Sequence, residues 1–285
     1  MKKFTVFTPT YNRKSTLPRL YESLVRQTEM DFEWLVVDDG STDHTDALIQ
    51  QYIQESKIKI QYVRQPNQGK HIAINTALDI ISTPYFIIID SDDYIAETCI
   101  AICQTLADDI EQKEGFAGFS FIHFSESTPY MPEKYGRKRW TEHNSYQWEF
   151  PGEMVFCFKT GIAGKFRFPV YKGETFCQEA YWLLPIFENY RILYTDYVLA
   201  YGDYLDEGLT RNLGRKLSES PQYTLATLLR KYRSTVYSKE EKKMIAMSYL
   251  DVAAKSGKIP LRVIFSEIGI GNVLLFISRK IKNIK

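Results

Sequence analysis

The strongest constraint on this chain is an alternation repeated through roughly its first hundred residues. Four short β-branched and aromatic runs, Phe4–Thr8, Glu33–Val37, Ile58–Val63 and Tyr85–Ile89, are separated by stretches whose apolar residues recur every three to four positions, at Leu17–Gln27, Asp43–Glu55 and Ile72–Ile81. Strand-like runs alternating with helix-period stretches predict βα units and a largely parallel sheet flanked by helices. Ser41-Thr42-Asp43 is placed to cap the second helix, and Pro84 to end the third.

From Phe116 to Tyr204 the pattern becomes mixed and aromatic-rich. It predicts strands at Ala117–Phe124, Met154–Phe158 and Ile192–Tyr194 running into Val198–Tyr201, with a helix over Gln178–Glu188. After Gly208 the composition turns helical, basic and polar. The expected organisation is therefore a principal α/β domain over 1–207, in two halves at 1–105 and 106–207, with a helical extension over 208–285.

Charge narrows the function. With 36 Lys+Arg against 35 Asp+Glu the net charge is +1, which excludes a chain held to nucleic acid by overall charge alone. The four cysteines, Cys99, Cys103, Cys157 and Cys177, form no CxxC pair and read as buried small hydrophobes in a reducing, cytoplasmic setting. The Met-Lys-Lys start leads directly into a short apolar run, unlike a secretory leader.

In an open α/β sheet, ligands bind beyond the carboxyl ends of the strands. The polar motifs of this chain fall there. Asp90-Ser91-Asp92-Asp93 follows the Tyr85–Ile89 run, and such a density of carboxylates suits either a hard divalent cation bridging to phosphates or a solvated acidic turn. Asp38-Asp39-Gly40-Ser41 is a second acidic strand end, able to accept from a nucleobase or ribose or simply to form a turn. Lys70, in Asn67-Gln68-Gly69-Lys70-His71, stands near a helix N-terminus, where anions are favoured. Glu174 and Glu179 precede the aromatic stretch Ala180-Tyr181-Trp182, where a desolvated carboxylate would serve as a general base and an ordinary first-turn Glu would only complement the helix dipole.

Taken in order, Thr8-Pro9-Thr10-Tyr11-Asn12-Arg13, Val37-Asp38-Asp39-Gly40-Ser41-Thr42-Asp43, Asn67-Gln68-Gly69-Lys70 with Asn75, and Ile89-Asp90-Ser91-Asp92-Asp93 resemble the family 2 glycosyltransferases of the GT-A fold. The resemblance implies inverting transfer from a nucleotide-activated sugar, UDP-linked by the family's habit. It implies that the loop of Pro9, Tyr11 and Asn12 and the carboxylate of Asp39 hold the base, and that Asp38 and Lys70 lie around the nucleotide. Asp90 and Asp92 become the DxD pair that takes ribose and a Mn2+ or Mg2+ ion, with Asp93 sharing the metal. On this reading 1–105 is the donor and metal half, and 106–207 the acceptor half.

Family members usually carry a Glu-Asp pair ahead of a Trp-containing helix, and its acid deprotonates the acceptor. Here Glu179 is followed by Ala180 although Trp182 is present, so Glu179 is the first choice of base and Glu174 the second. The Gly173–Glu179 stretch with Tyr204-Leu205-Asp206-Glu207-Gly208-Leu209-Thr210 resembles a bacterial subgroup tied to surface polysaccharide assembly, whose acceptors are glycans or lipid-linked glycans. Two rivals are a sugar nucleotidyltransferase and a silent nucleotide-binding scaffold. The first normally has a Gly-rich phosphate loop near the N-terminus, and Thr8–Arg13 contains no Gly.

The tail, 259–285, is apolar but interrupted by Pro260, Arg262, Glu267, Gly269 and Gly271, and it ends in a basic cluster. From Lys255 onward there are seven basic residues and one acidic residue. That pattern suits either docking on the anionic inner face of the plasma membrane or packing on protein.

Overall fold

The computed structural model describes residues 2–125, 138–141, 153–202, 212–257 and 261–282. Strands β1 (Phe4–Thr10), β2 (Phe32–Asp38), β3 (Ile60–Arg64) and β4 (Tyr85–Ile88) alternate with helices α1 (Leu17–Val25), α2 (Thr45–Glu55) and α3 (Lys70–Ile80), as the periodicity requires. After β5 (Tyr94–Ile95) come α4 (Cys99–Glu111), β6 (Phe116–Phe124), β7 (Lys138–Thr141) and β8 (Glu153–Lys159). A short helix α5 (Thr160–Ala163), then α6 (Ala180–Asn189) and β9 (Arg191–Tyr201) complete the α/β part.

Among the described residues the strands form one sheet in the order β3-β2-β1-β4-β8-β6-β9-β5, with β7 also paired to β9. The first four strands are parallel. The second half is mixed, because β8 runs antiparallel to both β4 and β6, while β6 and β9 are parallel.

Side chains of β1 and β2 alternate between two cores. Phe4, Val6, Trp34 and Val36 face α1, α2 and α4, whereas Phe7, Leu35 and Val37 face α3 and α6. Burial of both strands on both faces explains why they read as apolar runs. Cys99, Cys103, Cys157 and Cys177 are free and buried, and burial pushes the Cys103 and Cys157 thiols well above their ordinary value.

Two helix boundaries differ from expectation for local reasons. Helix α2 starts at Thr45 after a left-handed His44 (φ 66°) that is its N-cap residue, and Asp43 braces the turn before it by accepting from the Thr45 amide (3.1 Å) and hydroxyl (2.6 Å). Helix α3 starts at Lys70 rather than Ile72 and ends at Ile80, ahead of Pro84.

Helices α7 (Leu213–Glu219), α8 (Pro221–Arg233), α9 (Lys239–Ser256), α10 (Leu261–Ile268) and α11 (Ile270–Lys282) follow. The expected boundary at 207/208 and the Tyr204–Thr210 motif lie outside the described residues, as do 258–260 and 283–285. Helix α8 serves two cores: its Tyr223 is buried with Trp182 and Phe168, and its Leu225 joins a third cluster with Tyr249, Leu250, Ile264, Ile268 and Val273.

His71, in the first turn of α3, is buried against Tyr223 (ring centroids 4.3 Å apart) and Phe168. Burial lowers its pKa from 6.5 to about 4. A depressed folded value means that its contribution is complete above the unfolded pKa and is lost as pH falls from 6.5 toward 4. Wild type should lose about 2 kcal/mol more than His71→Gln between neutral pH and about pH 5. Parallel pH profiles of denaturant unfolding for the two proteins would rule this out.

Candidate active site

The parallel strands β1, β2 and β4 bring their carboxyl ends to one edge, with Thr10 paired to Asp38. Two loops lock together there. Asn12 adopts a left-handed conformation (φ 52°); its amide donates to Ser41 Oγ (2.9 Å) and its Oδ1 accepts from the Thr42 amide (2.8 Å). The Lys14 amide donates to Asp43 Oδ2 (2.9 Å). Pro9 is buried inside β1, whereas Tyr11 holds its ring exposed on the rim.

The acidic pair after β2 is buried. Asp38 accepts from the Ser41 amide (2.8 Å) and the Tyr62 hydroxyl (2.6 Å). Asp39 accepts from Gln65 Nε2 (2.8 Å) and from the amides of Gln68 (2.9 Å) and Gly69 (2.7 Å). Burial raises the Asp39 pKa despite these donors. In this structure Asp39 holds the loop that leads into α3, and Asp38 ties the turn after β2 to Tyr62 of β3. Sequence reasoning placed them at the right strand end but missed Tyr62, Gln65 and Gly69 as their partners.

Beyond β4, carboxylate oxygens of Asp90, Asp92 and Asp93 lie within 4.8 Å of one another. Desolvation and then repulsion from Asp90 raise Asp92. Desolvation also raises Asp93, to about 6, against the opposing pull of His123, whose Nε2 lies 3.0 Å from Asp93 Oδ1. Burial disfavours charge on His123, but Asp93, Glu153 and Asp90 outweigh it and raise its pKa. Arg19 donates to the Asp92 carbonyl and stacks its guanidinium 4.7 Å from the Tyr94 ring centre, which braces this turn. Three carboxylates clustered at one strand end are a hard oxygen donor set suited to Mg2+ or Mn2+. His123 was not legible as a site residue, because it arrives on β6 from a distant part of the sequence.

Lys70 joins this cluster to the candidate base. Its Nζ lies 2.7 Å from Asp90 Oδ1, 2.8 Å from Asp90 Oδ2 and 2.7 Å from Glu179 Oε1. Burial opposes its charge, but Asp90 and Glu179 outweigh the penalty and raise its pKa. Glu179 stands at the N-terminus of α6 with its side chain 47% exposed.

The two candidate bases have different surroundings. Glu179 faces the Lys70 ammonium from the N-terminus of α6, while the buried Trp182 indole donates to the Phe166 carbonyl (3.2 Å). The second choice, Glu174, is buried and caps α8, accepting from the amides of Gln222 (2.9 Å) and Tyr223 (3.1 Å) and from Gln222 Nε2 (3.1 Å).

Residues 5–166, more than half of the chain, match the sequence profile of Glycosyl transferase family 2. The chain belongs to this family. Among its relatives is Glycosyltransferase GlyA of Streptococcus pneumoniae, 34% identical over 126 residues, which covers 44% of this chain and 18% of GlyA. Poly(ribitol-phosphate) beta-N-acetylglucosaminyltransferase TarS of Staphylococcus aureus is 35% identical over 97 residues, covering 33% of this chain and 17% of TarS. The matched part thus spans less than a fifth of these relatives.

Solved structures of low identity extend the likeness in fold beyond the matched segment. S. aureus TarS 1–349 in complex with UDP-GlcNAc superposes with a TM-score of 0.63 at 18% identity, covering 97% of this chain and 81% of that one. Mannosyltransferase PcManGT of Pyrobaculum calidifontis, in complex with GDP-Man and Mn2+, gives 0.58 at 16% identity, covering 99% and 81%. The fold is the GT-A type.

Proposed function

We propose that this chain is an inverting glycosyltransferase of bacterial surface polysaccharide assembly, moving a sugar from a UDP-sugar to a hydroxyl of a glycan or lipid-linked glycan. The observation that carries the reading is Lys70 standing between Asp90 and Glu179, which sets a donor-side carboxylate and a base on either side of one charge. The UDP-GlcNAc complex of TarS and the GDP-Man and Mn2+ complex of PcManGT, which share the fold, support a nucleotide-sugar as the ligand. The catalytic unit is taken as 1–207, and 208–285 as its helical extension.

Tyr11 offers its exposed face to the base, with Pro9 and Asn12 shaping its loop and Asp38 and Asp39 holding the wall behind. Asp90, Asp92 and Asp93 would hold the divalent ion, Mn2+ or Mg2+, which when bound neutralises the departing diphosphate. Glu179 takes the proton of the acceptor hydroxyl as its oxygen bonds to the anomeric carbon. The electron pair of the breaking carbon–oxygen bond leaves with the diphosphate, and one displacement inverts the centre.

Thermal shift with UDP, GDP and dTDP, with and without Mn2+, on wild type and Asp92→Asn tests this. A ligand at a hundred times its Kd adds about 2.7 kcal/mol, a Tm rise of a few degrees in a domain of this size. UDP with Mn2+ should raise wild type so, and Asp92→Asn should lose the metal-dependent part. Silence with all three nucleotides under both conditions would end the transferase reading.

We propose further that α10 and α11 rest on an anionic lipid surface. Ile264, Ile268 and Val273 pack into the third core, while Ile270, Leu274 and Ile277, at helical spacing along α11, are 63%, 61% and 47% exposed. Seven basic residues against one acidic residue from Lys255 onward supply charge complementarity, and that acid, Glu267, pairs with Arg233. No helix among the described residues is long and apolar enough to cross a membrane. In flotation assays, vesicles containing phosphatidylglycerol should retain the protein and phosphatidylcholine vesicles should not, and Leu274→Glu with Ile277→Glu should lower retention about tenfold. Retention unchanged by those substitutions would refute the docking face.

A further inference from the structure

Lys70 combines a fixed base with a free tip. Its backbone opens α3, directly after Gly69, whose amide donates to Asp39 (2.7 Å). A Cβ on Gly69 would stand 1.9 Å from the Thr175 carbonyl oxygen, so this turn is seated tightly on the segment that leads to Glu179. The ammonium, in contrast, is carried on a flexible stem; the side chain is 23% exposed, and its tip divides its contacts between Asp90, beyond β4, and Glu179, at the start of α6. Asp90 and Glu179 are therefore held by one cation whose side chain has a route to solvent.

We propose that Lys70 is an exchangeable counter-ion: in the ligand-free protein it neutralises Asp90 and holds Glu179, and it releases both for the donor diphosphate when Asp90 is engaged by a divalent cation. The inference rests on the transferase reading above. Its physical basis is charge balance. Asp90, Asp92, Asp93 and Glu179 gather at one edge, and Lys70 is in direct contact with two of them. With a divalent ion among the three aspartates the ammonium is repelled from Asp90, while a diphosphate beside the α3 N-terminus draws it away.

The exchange orders the reaction. In this state Glu179 Oε1 is engaged by the Lys70 ammonium at 2.7 Å. Departure of Lys70 to the diphosphate frees that oxygen to accept from the acceptor hydroxyl, so acceptor engagement follows donor loading.

The test is a titration of Mn2+, with the free ion read by electron paramagnetic resonance, on wild type, Lys70→Met and Lys70→Arg. Without nucleotide, Lys70→Met should bind Mn2+ about tenfold tighter than wild type, since no ammonium then competes for Asp90. With Mn2+ saturating, the same variant should bind UDP about tenfold more weakly, since the charge that meets the diphosphate is gone. Lys70→Arg should stay near wild type in both. Opposite signs for metal and nucleotide are what a merely structural lysine would not produce.

Mn2+ affinity in Lys70→Met equal to or weaker than wild type overturns the exchange while leaving the transferase reading intact, provided wild type binds both ligands. Wild type that binds neither Mn2+ nor UDP overturns both. If Lys70→Met fails to give a wild-type circular dichroism spectrum, Lys70→Gln, which keeps a polar tip without charge, is read by the same criteria.

Discussion

Glu179→Gln should reduce sugar transfer by a factor of about 10² to 10⁴, the range a general base supplies, while changing UDP affinity no more than a few-fold. The amide keeps the shape of the carboxylate and still accepts from Lys70, whose Nζ lies 2.7 Å from Oε1, so the donor side is preserved. Proton transfer is what it removes. The informative control is Glu174→Gln, which alters a neighbouring carboxylate of opposite purpose. Glu174 ties the first amides of α8 to the turn before α6, and weakening that charge-assisted cap should lower stability by about 1–2 kcal/mol with transfer nearly unchanged. Initial rates and melting curves on both variants separate the two residues. A Glu179→Gln enzyme within tenfold of wild type would remove Glu179 from the role of base.

Gly69→Ala should be among the most damaging single substitutions in the chain, costing more than about 4 kcal/mol and abolishing donor binding in whatever protein still folds. Gly69 has φ 96°, where an L side chain is strained, and its Cβ would overlap the Thr175 carbonyl at 1.9 Å. The obstacle is backbone, so no rotamer can move aside. Retreat of either segment would pull the Gly69 amide from Asp39 and carry Lys70 away from Asp90 and Glu179. Gly173→Ala isolates the conformational part, because Gly173 also has a positive φ (85°) but nothing within 4 Å of its Cβ. It should cost only about 1 kcal/mol. Equal losses of stability in the two variants, measured by denaturant unfolding, would contradict the packing argument.

Much of this molecule could be read one segment at a time. The strands of the first half announce themselves because Phe4–Thr10 and Phe32–Asp38 are buried on both faces, and a helix that covers a sheet must repeat its apolar residues at helical spacing. Parallel order then carries Asn12, Asp38 and Asp90 to one edge, so the neighbourhood of the site was legible before any coordinate was known. The short strands β5 and β7 were not, since both pair with β9, which lies far away in the sequence.

The two glutamates show where local reading stops. Glu174 and Glu179 are near neighbours ahead of the same helix, both plausible as base or as cap, and no property of the intervening residues ranks them decisively. The tertiary structure does so through partners that lie far away along the chain: Gln222 and Tyr223 of α8 enclose one, and Lys70 of α3 meets the other. His123 reaches Asp93 in the same manner, from β6. Sequence by itself determined the α/β architecture, the family and the strand ends at which chemistry gathers, because burial patterns and turn residues act over a few positions. Which carboxylate is capped, which is bridged and which is left beside a histidine was decided only by packing, because hydrogen bonds and charges act over a few ångströms of space however far apart their residues stand in the chain.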